Sequence, residues 1–173
     1  MELSVTQENL SKALAAASRV ASTKTQLPIL SNILLRTDSN RLLVAATNLE
    51  IATTQHIGAK IAKPGSITIP AKLVAEFVSS LPKGPVELAV KNDHLHISAG
   101  GYKSVINGTL ADDFPELPII DESSSVQYSL NSDEFKQAVS QTILTASSDS
   151  TRPVLTGVYW HTHEGHLYLA ATD

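Results

Sequence analysis

The chain of 173 residues contains no cysteine, and this absence removes several classes of protein at once. Without thiols the protein has no disulfide framework, no thiolate nucleophile and no cysteine-ligated zinc. A cysteine-free chain is compatible with a reducing compartment.

Long apolar runs are lacking too. No stretch approaches the roughly 18 apolar residues of a membrane-spanning helix, and the start, Met1 to Val5, has neither the basic nor the apolar part of a secretory leader. We therefore expect a soluble, cytoplasmic protein with no membrane partner. Apolar residues make up 42% of the chain and charged residues 17%, which is typical of a globular protein.

Basic residues are too few to give the chain a positive charge, and they are unevenly placed. The net charge of −4 argues against nucleic-acid binding, because phosphate contacts need clustered Lys and Arg. Residues 1–111, however, carry eleven Lys and Arg against seven Asp and Glu, and residues 112–173 carry two against ten. The average therefore hides a basic first part and an acidic second part.

Apolar periodicity predicts two amphipathic helices. Apolar residues recur at helical spacing over residues 10–21, which leaves Lys12 and Arg19 on the outer face. A second helix is expected after Pro70, with apolar residues at helical spacing over 73–81.

Branched and alternating residues predict the strands. Ile29 to Arg36 is predicted as a strand, which Ser39-Asn40 turns back into a second strand. Three alternating runs, at 86–90, 94–98 and 103–108, predict an antiparallel meander. The expected fold class is α+β, with both helices packed on antiparallel sheets.

The sequence repeats itself with a period of 125 residues. This shift places Leu3 to Asn48 on Tyr128 to Asp173 without a gap, and 11 of the 46 pairs are identical. We expect a first domain over residues 1–120, a linker over 121–126 and an incomplete second copy over 127–173. Since fewer than about 50 residues rarely hold a core alone, the second copy either leans on the first or belongs to a longer chain.

Several short segments together carry a resemblance to a known family. They are Leu27 to Asn32, Pro64-Gly65-Ser66, Ile69 to Lys72, Leu81-Pro82, Ala111 to Pro115 and Leu169 to Asp173. The chain resembles the DNA polymerase III beta subunit, the sliding clamp family of bacteria. The resemblance implies a clamp fold with tandem repeats, three in each family member, and a homodimer that closes head to tail around double-stranded DNA. It also implies a processivity factor without catalytic residues or cofactor, which tethers the replicative polymerase during DNA replication.

The resemblance assigns positions for DNA contact. Lys24 and Lys72 match family positions that contact DNA, and Lys12 and Arg19 lie on the outer face of the first predicted helix. These four side chains are expected to meet phosphates without reading sequence. Without the resemblance, the same side chains are interpreted as solvated surface.

The resemblance further implies a hydrophobic pocket in the second copy. Leu155 and Thr172 match pocket positions, and Arg152 lies beside them. The pocket takes short linear motifs of the polymerase III catalytic subunit and the clamp loader. Without the resemblance, Leu155 is interpreted as a core residue of a strand.

The contact that closes the ring is assigned to the last strand of the first domain. Val105 and Asn107 match its two positions. An alignment shifted by one residue would put Ile106 there instead.

The histidines suggest an alternative function, which is metal binding. His161, His163 and His166 lie in one predicted hairpin, where they could converge on a metal in a small metal-binding or hydrolytic domain. Strand residues beside a turn are usually exposed, which favours the absence of a metal site. The sequence has no phosphate-binding glycine loop, nucleophile elbow or dinucleotide fingerprint, so no catalytic site is expected.

Overall fold

The polypeptide divides into two units, which we call unit 1 (Met1–Ile119) and unit 2 (Ile120–Asp173). The computed structural model describes residues 1–21, 27–117, 123 and 127–173. Apart from Ser123, the predicted linker at 121–126 lies outside the described residues.

Unit 1 has two α-helices and nine β-strands among its described residues. In chain order they are β1 (Glu2–Thr6), α1 (Gln7–Val20), β2 (Asn32–Asp38), β3 (Arg41–Thr47), β4 (Ala52–Gly58), β5 (Lys60–Lys63), β6 (Ser66–Pro70), α2 (Ala71–Ser80), β7 (Pro85–Lys91), β8 (His94–Ala99) and β9 (Tyr102–Asn107). The strands form two antiparallel sheets, of order β5-β1-β7-β8-β9 and β4-β3-β2-β6. The α+β fold class and the meander at β7 to β9 are therefore confirmed.

The main core of unit 1 is a cluster to which both helices and both sheets contribute. The spacing predicted for α1 is confirmed, since Leu10, Ala13, Leu14 and Ala17 are buried on one face. The buried Gln7 side chain donates from Nε2 to the carbonyl oxygen of Val78 at 2.9 Å, which joins the start of α1 to α2. The buried side-chain amide of Gln7 therefore has a hydrogen-bond partner.

Unit 1 consists of two halves with matching strand registers. The two halves pair with each other through two matching strand pairs: β2 of the first half pairs with β6 of the second so that Asn32 faces Pro70, and β7 of the second pairs with β1 of the first so that Pro85 faces Thr6. In both halves a helix follows the paired strand, and a two-residue turn closes the next hairpin. The two halves, Glu2–Gly58 and Ser66–Asn107, are therefore related by an approximate two-fold axis, and each covers the other.

The predicted strand from Ile29 to Arg36 is wrong at its start. Residues Pro28–Ser31 form a 3-10 helix, and the strand begins at Asn32. Proline fixes φ and lacks a donor, and the Ser31 hydroxyl donates to the Pro28 carbonyl oxygen at 2.7 Å. This local bond closes the turn that apolar content alone had suggested as strand.

Gly108 lies where β9 leads into a tight contact with β6. A Cβ at this position would stand 2.5 Å from Ile67 Cδ1 and 2.8 Å from the Thr68 carbonyl oxygen. That oxygen accepts from the Thr109 amide at 2.9 Å, so it cannot move away freely. We expect Gly108→Ala to lower the free energy of unfolding by about 1–3 kcal/mol, as overpacking does.

Gly58→Ala is the matched control, because a Cβ on Gly58 meets nothing within 4 Å. Its expected effect is within about 0.5 kcal/mol. Denaturant titration of the two variants measures the difference, and equal midpoints would contradict the steric explanation.

Unit 2 repeats the first half of unit 1 at the predicted shift. Its helix and strands are α3 (Ser132–Thr142), β10 (Tyr159–His163) and β11 (His166–Ala170). A 3-10 helix at Pro153–Thr156 stands 125 residues after the one at Pro28–Ser31, so the repeat is confirmed in three dimensions. Residues 127–130, the counterpart of β1, form no strand. In unit 1 that strand pairs with β5 and β7, which have no counterpart among the described residues of unit 2.

Candidate functional site

Three cations lie on the exposed sides of the helices of unit 1. Lys12 and Arg19 are two helical turns apart on α1, and Lys72 lies in the first turn of α2. All three are exposed because the opposite faces of the helices are buried in the core. None forms an ion pair with a described residue. We call these three residues the helix surface.

The helix surface is positioned by rigid elements. Helices α1 and α2 pack against each other, and Ala15 occupies the exposed side of α1 between Lys12 and Arg19. A small side chain between two cations lets an anionic backbone approach the helix closely. Lys24, the fourth predicted DNA contact, lies outside the described residues.

Strand β9 is an edge of the five-stranded sheet. Val105 and Asn107 are exposed, whereas Ile106 is buried in the core. Because successive strand residues point to opposite faces, the chain offers Val105 and Asn107 on its surface and not Ile106. Lys103, on the same face, is also exposed.

A small cavity in unit 2, of about 280 Å³, collects two of the predicted pocket residues. We call it the unit 2 pocket; it is lined by Val154, Leu155, Gly157, Tyr159, Ala170, Ala171 and Thr172. Leu155 and Thr172 thus lie together, from the 3-10 helix and the residues that follow β11. The contributions of Val154 and Tyr159 were not predicted. The repeat matches these two positions with the apolar residues Ile29 and Leu34, which is a signal that could have found them.

At the matching site in unit 1, Phe114 packs on the counterparts of the pocket residues. Leu34 and Ala45, the counterparts of Tyr159 and Ala170, pack under Phe114 in a second apolar cluster. Phe114 belongs to the segment after β9, and no described residue of unit 2 matches it. In unit 1 Phe114 therefore covers Leu34 and Ala45, whereas Tyr159 and Ala170 line a pocket among the described residues of unit 2.

Arg152 is held beside this pocket by a neighbouring acid. It does not line the cavity, and its Nε lies 3.5 Å from Asp149 Oδ2. The Asp149 carboxylate also accepts from the Thr151 hydroxyl at 2.7 Å and from the Thr151 amide at 2.9 Å. These bonds, the hydroxyl first, hold the pKa of Asp149 below its ordinary value. The acid is therefore charged at neutral pH and orients the guanidinium.

Of the three histidines in the metal-binding interpretation, His161 and His163 lie along β10, and His166 of β11 faces His163 across the hairpin. The rings of His161 and His163 stack with centroids 6.2 Å apart, and His161 also stacks on Tyr159. His166 Nδ1 bonds to the carbonyl oxygen of Glu164 at 3.1 Å. The described part of the chain contains no group of three or more possible ligands that could hold a metal ion. The metal-binding alternative has no support in this geometry.

Comparison with known proteins gives matches along the whole chain. Residues 1–118 match the family model of the DNA polymerase III beta subunit, N-terminal domain, and residues 129–173 match that of its central domain. The beta sliding clamp of Bacillus subtilis is 31% identical, over 100% of this chain and 48% of that protein. That of Synechocystis is 34% identical, over 100% of this chain and 46% of that protein.

A solved structure gives the same result for the fold. The crystal structure of the Bacillus subtilis DNA polymerase sliding clamp superposes with a TM-score of 0.91 at 29% identity, covering 100% of this chain and 47% of that one. The chain thus spans about half the length of the relatives it matches. No helix in the described ranges is long and apolar enough to cross a membrane.

Proposed function

The chain belongs to the DNA polymerase III beta subunit family, and we propose that it acts as part of a sliding clamp, which encircles duplex DNA and tethers the replicative polymerase. In this role it is a non-catalytic accessory subunit of the polymerase holoenzyme in the cytoplasm. Residues 1–120 act as the first clamp domain, 121–126 as a linker and 127–173 as the start of the second.

The observation that supports DNA contact most strongly is the helix surface. Lys12, Arg19 and Lys72 are exposed and have no ion-pair partners among the described residues, so no local carboxylate competes with phosphate for them. Cations on rigid helices can attract the backbone of any duplex without touching base edges. Lys24, which follows α1 in the sequence, is the fourth cation of the proposed contact. Such contacts hold DNA and still permit sliding.

The unit 2 pocket is the site for protein partners. Its lining from Leu155, Thr172 and their neighbours is mainly apolar, which suits the side chains of a short linear motif. Arg152, oriented by Asp149, lies beside it and can pair with an acidic group of that motif. The polymerase III catalytic subunit and the clamp loader are the expected ligands.

The edge strand β9 is the site of the ring contact. Strand addition at a free edge satisfies backbone groups of both partners, and Val105 adds an apolar side chain to the contact. Asn107 contributes less, because an amide gains little from an apolar neighbour. A homodimeric ring requires more chain than residues 1–173, since the relatives are about twice as long.

The function is tested by measuring binding to two duplexes of unrelated sequence. We expect equal affinities for both, and a slope of log affinity against log salt of about −3 to −4 for four phosphate contacts. Fluorescence anisotropy with labelled duplexes measures both quantities. A strong preference for one sequence, or an affinity that does not change with salt, would contradict the proposal.

A further inference from the structure

The only asparagine of the chain that precedes a glycine stands at the end of β9, where Gly108 follows Asn107. An asparagine in this position is prone to deamidation, because glycine has no Cβ that hinders attack by its own amide nitrogen. The Asn107 side chain is exposed, and it makes no hydrogen bond with a described residue. Its amide carbon is therefore open to such an attack.

Deamidation at this pair forms a ring and then opens it. The Gly108 amide nitrogen gives up its proton and attacks Cγ of Asn107, which closes a five-membered succinimide and releases the side-chain nitrogen as ammonia. A solvent water then adds to one of the two ring carbonyls. Cleavage of the bond to Cγ gives aspartate, and cleavage of the backbone bond gives isoaspartate. Either product has a carboxylate in place of the amide.

The fold holds the attacking nitrogen in a hydrogen bond. The Gly108 amide donates to the carbonyl oxygen of Asp93 at 2.8 Å. Asn92 and Asp93 form the turn between β7 and β8, with φ of 49° and 61°, so the acceptor belongs to a tight turn of the same sheet. An amide whose proton is held in this way loses it less readily and is a poorer nucleophile.

The residue on the other side of Gly108 is held as well. Thr109 pairs with Thr68 of β6 through two backbone bonds, of 2.9 Å and 3.0 Å, and its carbonyl oxygen also accepts from the Thr68 hydroxyl at 3.1 Å. Ring closure turns the backbone of Asn107 out of its extended strand conformation and moves the Gly108 nitrogen towards the side chain. It therefore requires that these bonds, and the bond to Asp93, open first.

We propose that Asn107 is a latent deamidation site, which the folded chain protects and which reacts when the end of β9 detaches from Asp93 and β6. Local opening of a strand end requires less free energy than unfolding of the whole unit. Because the modification follows the opening, its extent records how often this end of β9 is open. The site does not rest on the proposed function, but one consequence does: a carboxylate on the same face as Val105 and opposite His94 changes the surface of the proposed ring contact.

The first test compares the folded chain with the chain unfolded in urea, both incubated at mildly alkaline pH, by mass spectrometry of proteolytic peptides. In urea we expect Asn107 to deamidate faster than any other asparagine. In the folded chain we expect the rate to be at least about 30-fold lower, because three backbone hydrogen bonds must open. Asn107→Gln, whose longer side chain would need a six-membered ring, is the control and should remove the product. Equal rates in the two states, or no product at Asn107 in urea, would overturn the proposal.

A pair of variants separates local opening from the unfolding of unit 1. Thr68→Val removes the hydroxyl bond to Thr109 at similar volume, so we expect the folded chain to deamidate at least about threefold faster and the rate in urea to stay unchanged. Leu14→Ala weakens the buried core on α1 and removes none of these bonds. Under conditions where circular dichroism shows this variant folded, we expect its rate to stay within about twofold of the unchanged chain. Equal acceleration by the two variants, or none by Thr68→Val, would refute local opening at the end of β9.

Discussion

Replacing Leu14 by alanine is expected to lower the free energy of unfolding of unit 1 by about 3–5 kcal/mol. Leu14 is fully buried on α1, within the cluster built by both helices and both sheets. A close-packed core around it cannot collapse fully into the space that the lost isopropyl group leaves. A domain of this size is stable by only about 5–15 kcal/mol, so this one change removes a large part of the total.

Leu73→Ala is the matched control for this variant. This substitution removes the same atoms from the other helix, but the Leu73 side chain is 53% exposed. We therefore expect the free energy of unfolding to fall by no more than about 0.5 kcal/mol. Urea unfolding followed by far-ultraviolet circular dichroism measures both variants. The single tryptophan, Trp160, lies in unit 2, so its fluorescence follows unit 2 instead. Equal losses for the two leucines would mean that α1 does not pack as described.

Local patterns of the sequence were enough to predict the helices and the meander of unit 1. The burial of Leu10 and Leu14 follows from helical spacing, and β7 to β9 follow from alternation between short turns. The 3-10 helix at Pro28 was missed because a single hydroxyl-to-carbonyl bond decides between turn and strand. Strand β5 was missed because its pairing with β1 joins residues about 60 positions apart, which no local pattern encodes.

The candidate sites also contain some residues that local patterns predict and others that depend on contacts between distant parts of the chain. Lys12 and Arg19 could be placed on a helix surface because seven residues make two helical turns. Leu155 and Thr172 could be placed by resemblance, but the rest of the unit 2 pocket depends on how β10 and β11 meet the 3-10 helix. The packing of Phe114 on Leu34 and Ala45 in unit 1 depends on a segment that lies outside the repeated residues. Periodicity within one element cannot report such contacts.

Neutralising the helix surface is expected to cost most of the DNA affinity. Lys12→Gln, Arg19→Gln and Lys72→Gln together remove three phosphate contacts, while Lys24 is left unchanged. Each contact releases counterions from the duplex, so the slope of log affinity against log salt should become shallower by about 2–3. At low salt the affinity should fall about a hundredfold or more, by the same relation. Anisotropy titrations at several salt concentrations measure both quantities.

A second triple variant separates the helix surface from the overall charge of the protein. Lys60→Gln, Lys91→Gln and Lys103→Gln remove the same three charges from exposed strand positions of the five-stranded sheet. If DNA responds only to net charge, both variants lose affinity equally and the salt slopes coincide, which would remove the helices from the proposed interface. If phosphates lie along α1 and α2, the strand variant keeps nearly the full slope, because distant charges are screened within about 10 Å at moderate salt. The difference between the two slopes therefore counts the phosphate contacts that the helices make.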